Sequence, residues 1–458
     1  MSMLNKEIVS AELFSAGWCN LNCKYCYIPK DENLTRSVHE KIIKSIENGE
    51  LLNRLVEAFG ENLVSLSHWG TEPSLTLPIF TKSKWYEKAV TRFPNLREVK
   101  LSSNFMTNPN NLIEFIETFP SDKVLLDIQM SLDGPEETTD RNRGIGSTKK
   151  ILINGLEFFD RISQLPIKNR VRFHFKPTMS MQDVVLFSDI VKLREYYKFF
   201  DDYIGQLKSL DKNSKIEMSV HIDPSLVVPG FYTKESGVYF SKVVENQYIL
   251  NTENFKHIAK PKPNQHLAFL DKFIGGNQVD YYTKHSKFQC SSGSTQVAMQ
   301  WDETAHLCHR SFYLGEEDWD GFKKAMSKHV SESINSDDYS NGRYDLFRNI
   351  YTANYSDNKK LTRLQYLGRS FHDFWAQKLA FNTATIYEMA LSGQVSECYK
   401  NKEMAELFAK FLTIAECPLE NILNNGSILL HCLGNFRVFG NGAFEQILGK
   451  VMDEQARV

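Results

Sequence analysis

The stretch IVSAELFSAGWCNLNCKYCYIPK, residues 8–30, runs from a strand-like pattern into three cysteines, Cys19, Cys23 and Cys26, spaced C-x3-C-x2-C. Its first ten residues read as a β-strand, so the cysteines occupy the loop that leaves the strand's carboxyl end. Thiolates select zinc or iron–sulfur clusters. Structural zinc sites take four protein ligands, commonly as two cysteine pairs parted by a longer loop. Three thiols in one short loop leave such a site one ligand short.

Outward from this stretch, β-rich runs alternate with helical patterns. Strands are expected at NLVSLSHWG (62–70), REVKLSSN (97–104), KVLLDIQMSLDG (123–134), RVRFHFKPTMS (170–180) and KIEMSVHID (215–223). Helices are expected over 37–59, 81–93, 110–119, 147–161, 182–198 and 234–249. Strict strand–helix alternation implies a parallel sheet, since each crossover needs a helix to return the chain. Six units fall short of the eight of a closed barrel. The fold class expected is therefore α/β, an open partial (β/α)6 barrel over 8–255. A Pro- and Lys-containing linker follows at 256–285, then a β-hairpin region at 286–315 and a mostly helical domain over 316–458.

The chain has 458 residues, 42% of them hydrophobic, and a formal net charge of −2, enough for a large core. Acids and bases are interspersed, without the basic field that carries nucleic-acid binding. No apolar run approaches the roughly 18 residues of a membrane span, and MSMLNKEIVSAELF lacks a signal peptide's apolar core. A soluble cytoplasmic protein is expected. In such a reducing compartment, eight cysteines point to metal or catalysis rather than disulfides. For Cys398, Cys417 and Cys432 the alternative is packing as small buried hydrophobes.

CNLNCKYCY (19–27) resembles the signature of the radical S-adenosylmethionine (SAM) enzymes, including Tyr25 just before the third cysteine. The resemblance implies a 4Fe–4S cluster on Cys19, Cys23 and Cys26, with one iron left to bind SAM. Reductive cleavage of SAM would release a 5′-deoxyadenosyl radical that abstracts hydrogen from an unactivated position. WGTEPSL (69–75) resembles the family's Gly-Gly-Glu-Pro motif, with Thr71 in place of the second glycine. It implies that Gly70, Thr71 and Glu72 hold the amino group of SAM, where a carboxylate is a charge-assisted acceptor. An ordinary strand-ending turn would suit the same residues. SSNF (102–105) takes the place of Thr-Asn-Gly, giving Ser103 and Asn104 as contacts, with Phe105 where the family has glycine. IQMSLDGPEETTDRNRGIG (128–146) is similar to a segment of the branch that modifies peptides and proteins. Strand alternation puts Gln129, Ser131 and Asp133 on one face. The resemblance makes that face the barrel interior, with Ser131 near the SAM ribose and Arg143 pairing with its carboxylate. A simple turn at Asp133–Gly134 and a solvated Arg143 are the plainer readings.

CSSGSTQVAMQWDETAHLCH (290–309) resembles the opening of the auxiliary-cluster domain known as SPASM, or its shorter form, twitch. Cys290 and Cys308 flank the expected hairpin, whose turn lies near DET. The compact cysteine group that completes such a domain is missing. At most one auxiliary 4Fe–4S cluster is expected, on Cys290, Cys308 and one or two of Cys398, Cys417 and Cys432. A cysteine left over would be a candidate hydrogen-atom donor. His309 is a possible further ligand.

The reading that results is a maturase of a ribosomally synthesised precursor peptide, working by epimerisation, crosslinking or backbone excision. Its electron donor would resemble flavodoxin or ferredoxin. No separate N-terminal peptide-recognition domain is expected, because barrel patterning begins near residue 8. The alternatives are a maturase of a folded enzyme, oxidising a side chain as in anaerobic sulfatase maturation, and a non-enzymatic zinc-binding interaction protein.

Overall fold

Alternating polar and apolar positions govern the observed sheet. A computed structural model describes residues 9–24, 26, 32–211, 216–220, 225–226, most of 239–256, 296–301, 304–306, 352–354 and most of 383–409. The strands are β1 (Ser10–Ala16), β2 (Ser65–Gly70), β3 (Glu98–Ser103), β4 (Leu125–Met130), β5 (Val171–Phe175), the short β6 (Thr178–Met179), β7 (Ile216–Val220), the short β8 (Ser225–Leu226), β9 (Gln296–Met299), β10 (Thr304–His306) and β11 (Thr352–Asn354). One nine-stranded sheet runs β11-β10-β9-β1-β2-β3-β4-β5-β7, and β6 pairs separately with β8. All six sequence-read strands are present, and the open parallel α/β half-barrel is borne out.

The sheet exceeds the expectation by one parallel strand. The segment around 296–306 does form a hairpin, with Met299 opposite Ala305. Its first arm, β9, also lies parallel to β1, with Ser10 opposite Gln296. Seven strands are therefore parallel, not six. A hairpin pattern records only the pairing of neighbours in sequence, so the edge onto which it docks is not written in it.

Among the described residues, nine helices are defined between β1 and β7. They are α1 (Glu32–Glu47), α2 (Glu50–Phe59), α3 (Leu77–Lys82), α4 (Trp85–Arg92), α5 (Asn110–Thr118), α6 (Glu136–Arg143), α7 (Ser147–Gln164), α8 (Met181–Phe187) and α9 (Ile190–Leu210). Three helices read as continuous are broken. Gly49 parts α1 from α2, Ser83–Lys84 part α3 from α4, and Ser188–Asp189 part α8 from α9. At the last break Asp189 caps α9 by accepting from the Val191 N–H at 2.8 Å.

One face of the sheet is apolar and buried under the helices. Ala11, Leu13, Leu66, Val99, Leu101, Leu126, Ile128, Met130, Phe173 and Phe175 belong to it, each 0% exposed. The opposite face carries the polar positions of the same strands. The register aligns Glu12, Ser67, Lys100, Asp127, Arg172 and Glu217 in one row across it. The row nearer the carboxyl ends aligns Phe14 with Trp69, and Ser102 with Gln129 and His174. Lys176 Nζ lies 6.0 Å from the ring centre of Trp69, although β3 and β4 separate their strands. The sheet is therefore curled, with the polar face inside. All of the linker over 256–285 but its first residue, and most of the helical region over 316–458, lie outside the described residues. Among those described, no helix is long and apolar enough to cross a membrane.

His68 is the exception on the apolar face. It is 1% exposed, and its Nε2 meets the Tyr86 hydroxyl at 3.0 Å. Burial pushes its pKa down from 6.5 to about 3. The unfolded chain therefore takes up a proton that the folded chain refuses between those values. Stability from this residue is complete above pH 6.5 and falls as pH drops towards 3, by up to about 1.4 kcal/mol per pH unit. Urea unfolding at pH 7 and pH 5 should show this loss, and the double variant His68→Phe/Tyr86→Phe should lose less between the two.

Candidate functional site

The end of β2 sets the site. Gly70 has φ +116°, and a Cβ there would stand 2.4 Å from the Ala16 carbonyl oxygen. This close approach lets the next residue reach the end of β1. The Thr71 N–H donates to the Ala16 carbonyl at 3.1 Å, and its hydroxyl reaches the carbonyls of both Ala16 and Trp18. Glycine in the family's place for Thr71 would supply only the N–H. The threonine hydroxyl adds a tie to the cysteine loop.

Glu72 follows, 1% exposed, and accepts from the Asn104 N–H at 2.7 Å and from the Ser74 hydroxyl. Burial raises its pKa, while hydrogen bonds from Ser74, Asn104 and Ser103 pull it back. The Asn104 side chain donates to Asn20 Oδ1 at 2.7 Å and to Cys19 Sγ at 3.6 Å. Its own Oδ1 accepts from the Met106 N–H at 2.9 Å. Three of the expected SAM contacts, Glu72, Ser103 and Asn104, thus form one buried network against the cysteine loop.

Phe105 keeps the left-handed backbone that glycine would adopt there, at φ 53°. That conformation costs an L-residue about 1–2 kcal/mol. The ring offsets it by burial: Phe105 is 1% exposed and stacks edge-on against Phe158 and Phe173.

The loop itself is held at several points. Cys19 Sγ accepts from the Leu21 N–H at 3.4 Å, the Lys24 N–H donates to Asn142 O at 2.9 Å, and the Cys26 N–H donates to Cys23 O at 3.2 Å. Thr71, Asn104 and Asn142 therefore tie the loop to the segments that follow β2, β3 and β4. Cys19, Cys23 and Cys26 are all half-buried and form no disulfide. The Cys19 thiol is pushed up to about 12, first by burial and then by the negative charges of Glu72, Cys26 and Cys23. A buried thiol kept protonated in this way gives up its proton when a metal centre takes the thiolate. The donor set fits an iron–sulfur cluster: three thiols, with an amide and a backbone N–H aimed at one sulfur. Among the described residues no group of three or more His, Cys, Asp or Glu side chains stands placed to hold a single metal ion.

Other expected residues are placed differently. β4 ends at Met130, so the alternation that put Gln129, Ser131 and Asp133 on one face stops before the last two. The Ser131 N–H extends the ladder by one bond to Ser103 O at 2.9 Å, and the Leu132 N–H then turns back to Met130 O. Asp133 is fully buried and takes the Arg143 guanidinium through two bonds, at 2.9 and 2.8 Å. Arg143 is neither a solvated charge nor an open fork for a ligand carboxylate. Gln129 is on the inner face, bonded to Ser102 and His174. Cys398 is 6% exposed in a short 3-10 turn (Glu397–Lys400), and burial pushes its thiol up to about 11. It packs among the hydrophobic residues of the core. Cys290, Cys308, Cys417, Cys432 and His309 lie outside the described residues.

The sequence reading missed Asn20, Asn142, Asp127 and His174. Asn20 and Asn142 carry no pattern of their own. Asp127 and His174 show only as polar members of otherwise apolar strands.

No family model and no curated protein sequence matches the chain. Among solved structures it is similar to native anSMEcpe with bound AdoMet and Kp18Cys peptide, at 18% identity and TM-score 0.37, over 66% of this chain and 75% of that one. It is similar to native anSMEcpe with bound AdoMet and Cp18Cys peptide at 14% identity and TM-score 0.43, over 97% and 99%. It is also similar to Streptococcus suis SuiB at 13% identity and TM-score 0.36, over 66% of this chain and 60% of SuiB. All three are likenesses of fold at low identity.

Phe105→Gly tests how the third-strand turn is held. Glycine removes the backbone cost but empties a buried ring site worth about 3–5 kcal/mol. The variant should be less stable in urea than the wild type; greater stability would show that backbone strain dominates there.

Proposed function

We propose that this chain is a radical SAM enzyme that modifies a ribosomally made precursor peptide. The observation supporting it most is the loop of Cys19, Cys23 and Cys26 tied to Thr71, Asn104 and Asn142 at the carboxyl edge of a curled parallel sheet. Ligands of open α/β folds bind at that edge. A 4Fe–4S cluster and SAM, when bound, supply a 5′-deoxyadenosyl radical for hydrogen abstraction.

The protein's residues do the rest. Cys19, Cys23 and Cys26, as thiolates, hold three corners of the cluster. The Leu21 N–H and Asn104 amide donate to the Cys19 sulfur, which stabilises its charge and tunes the centre's potential. Glu72, already oriented by Asn104 and Ser74, offers an acceptor to the SAM amine. Gly70 and Thr71 bring the backbone close, and Ser103 supports Glu72. Arg143 and Asp133 brace each other beneath this edge and are not assigned to the ligand. The aromatic and polar inner face receives the peptide and excludes water.

A flavodoxin- or ferredoxin-like protein is the proposed electron donor, and the cytoplasm the proposed compartment. An auxiliary cluster would draw on Cys290 and Cys308 with one or two of Cys398, Cys417 and Cys432, and a cysteine left over would be the hydrogen-atom donor.

Anaerobic reconstitution of the wild type and of Cys19→Ala/Cys23→Ala/Cys26→Ala tests the proposal. The variant should lose about four irons and four sulfides per chain, one cluster's worth, and should form no 5′-deoxyadenosine under reducing conditions with SAM. Unchanged 5′-deoxyadenosine production would overturn the assignment. Colourless wild-type protein that binds zinc would favour the metal-binding interaction protein instead.

A further inference from the structure

The inner face carries a hydrogen-bonded chain that the cluster and SAM assignment leaves unexplained. Asp127 Oδ1 meets His174 Nδ1 at 2.9 Å, and His174 Nε2 meets Gln129 Oε1 at 3.3 Å. Gln129 Nε2 then donates to Ser102 Oγ at 3.0 Å. The three upper members come from adjacent strands, β3, β4 and β5, with Ser102 opposite Gln129 and Gln129 opposite His174. Each is one residue from the carboxyl end of its strand, directly below the network of Glu72 and Asn104.

Gln129 sits in the middle, and its neighbours flank it from opposite sides. They take one hydrogen of its NH2 group and one lone pair of its oxygen, both pointing sideways along the sheet. A carboxamide has two of each. The remaining N–H and lone pair point forward, side by side, into the curl. Exchanging the amide's oxygen and nitrogen leaves the same forward pair, because Ser102 can donate as well as accept. Gln129 is half-buried, and among the described residues nothing engages that forward edge.

The charges beneath this layer pair with one another but leave an acidic excess, two bases against three acids. Lys100 pairs with Glu98 at 3.1 Å, and the Arg172 guanidinium lies between Glu98 at 3.6 Å, Asp127 at 3.8 Å and Glu217 at 3.6 Å. The other aligned members of the layer, Phe14 and Trp69, are aromatic. Aromatic neighbours over an acid-rich layer disfavour an anion, Lys176 beside Trp69 disfavours a cation, and a neutral donor–acceptor group suits the edge.

We infer that the forward edge of Gln129, oriented by Ser102 and by the Asp127–His174 pair, reads a neutral amide group of the substrate peptide. The group is one that presents an N–H and a C=O side by side. An extended residue's main chain does this, and so does the primary carboxamide of an Asn or Gln side chain. Gln129 is then a specificity residue, while Ser102, His174 and Asp127 are positioning residues. The inference rests on the peptide-maturase reading for the identity of the ligand, but its test needs neither SAM nor turnover.

The experiment follows the side-chain amide signal of Gln129 by NMR in the full-length, cluster-reconstituted protein labelled with 15N-glutamine. The signal is assigned by its loss in Gln129→Glu, and independently in Gln129→Met should the first variant fold poorly. Acetyl-trialanine-N-methylamide probes a main-chain source and propionamide a side-chain source. A saturable shift of the Gln129 signal with either one supports the inference and names the source. For the main-chain source, the analogue with an ester in place of the central amide should bind about tenfold more weakly, the loss of one hydrogen bond. Ser102→Ala should also weaken binding of the effective probe without changing the melting temperature by more than a few degrees. No saturable shift with either amide, or equal binding of the ester analogue, overturns the inference. A shift with adenosine alone also overturns it, since a carboxamide edge can read adenine as well. Formation of 5′-deoxyadenosine by the wild type is measured separately, so failure of the radical SAM reading is distinguishable from failure of this one.

Discussion

The close passage of Gly70 over the Ala16 carbonyl is the constraint on which the site depends. A side chain there would collide with the backbone of β1, and an L-residue would resist the φ of +116°. Because the approach is allowed, Thr71 bonds β1 and the cysteine loop at once. The same turn delivers Glu72 into a buried position where Asn104 and Ser74 hold it. Asn104 in turn reaches Asn20 and Cys19. Thiols on one strand's loop, an acid on the next and an amide on the third are thus fixed relative to each other by backbone geometry.

The sheet beneath supplies rigidity on one face and chemistry on the other. Its helix-covered face is apolar and closely packed, which resists displacement of the strands. Its inner face is layered along the strand direction. A layer of paired charges with an acidic excess lies deeper, and a mixed layer of Phe14, Trp69, Ser102, Gln129 and His174 lies at the mouth, closest to the cysteine loop. On the proposed function, a radical formed at that edge would meet polar groups held by one another and aromatic surface that limits water.

Much of this was legible in the sequence because period-two patterning reports directly which strands are buried on one side. The six strands of the half-barrel and the three-cysteine loop came from that pattern. The helix breaks at Gly49, Lys84 and Asp189 did not, since an amphipathic repeat can continue in phase through a short interruption. Reading β4 through to Asp133 failed because alternation does not signal where pairing stops, and the resemblance that gave Arg143 a ligand carboxylate carried no sign of its buried partner Asp133. Phe105 looked like a departure from the resemblance, yet its backbone retains the conformation a glycine would take. Sequence identity and backbone conformation diverge there because a phenylalanine ring with a core to enter can offset the strain. The docking of β9 on β1 and the His174–Gln129–Ser102 chain are long-range matters of register, which no local pattern encodes.

The central claim is that the N-terminal loop alone builds a cluster open to SAM. The most direct test is electron paramagnetic resonance of a reduced, reconstituted variant that keeps Cys19, Cys23 and Cys26 but carries Cys290→Ala, Cys308→Ala, Cys398→Ala, Cys417→Ala and Cys432→Ala. The account predicts the signal of a single reduced 4Fe–4S cluster whose spectrum changes when SAM is added. A protein with no such signal, or one whose signal ignores SAM, would contradict it.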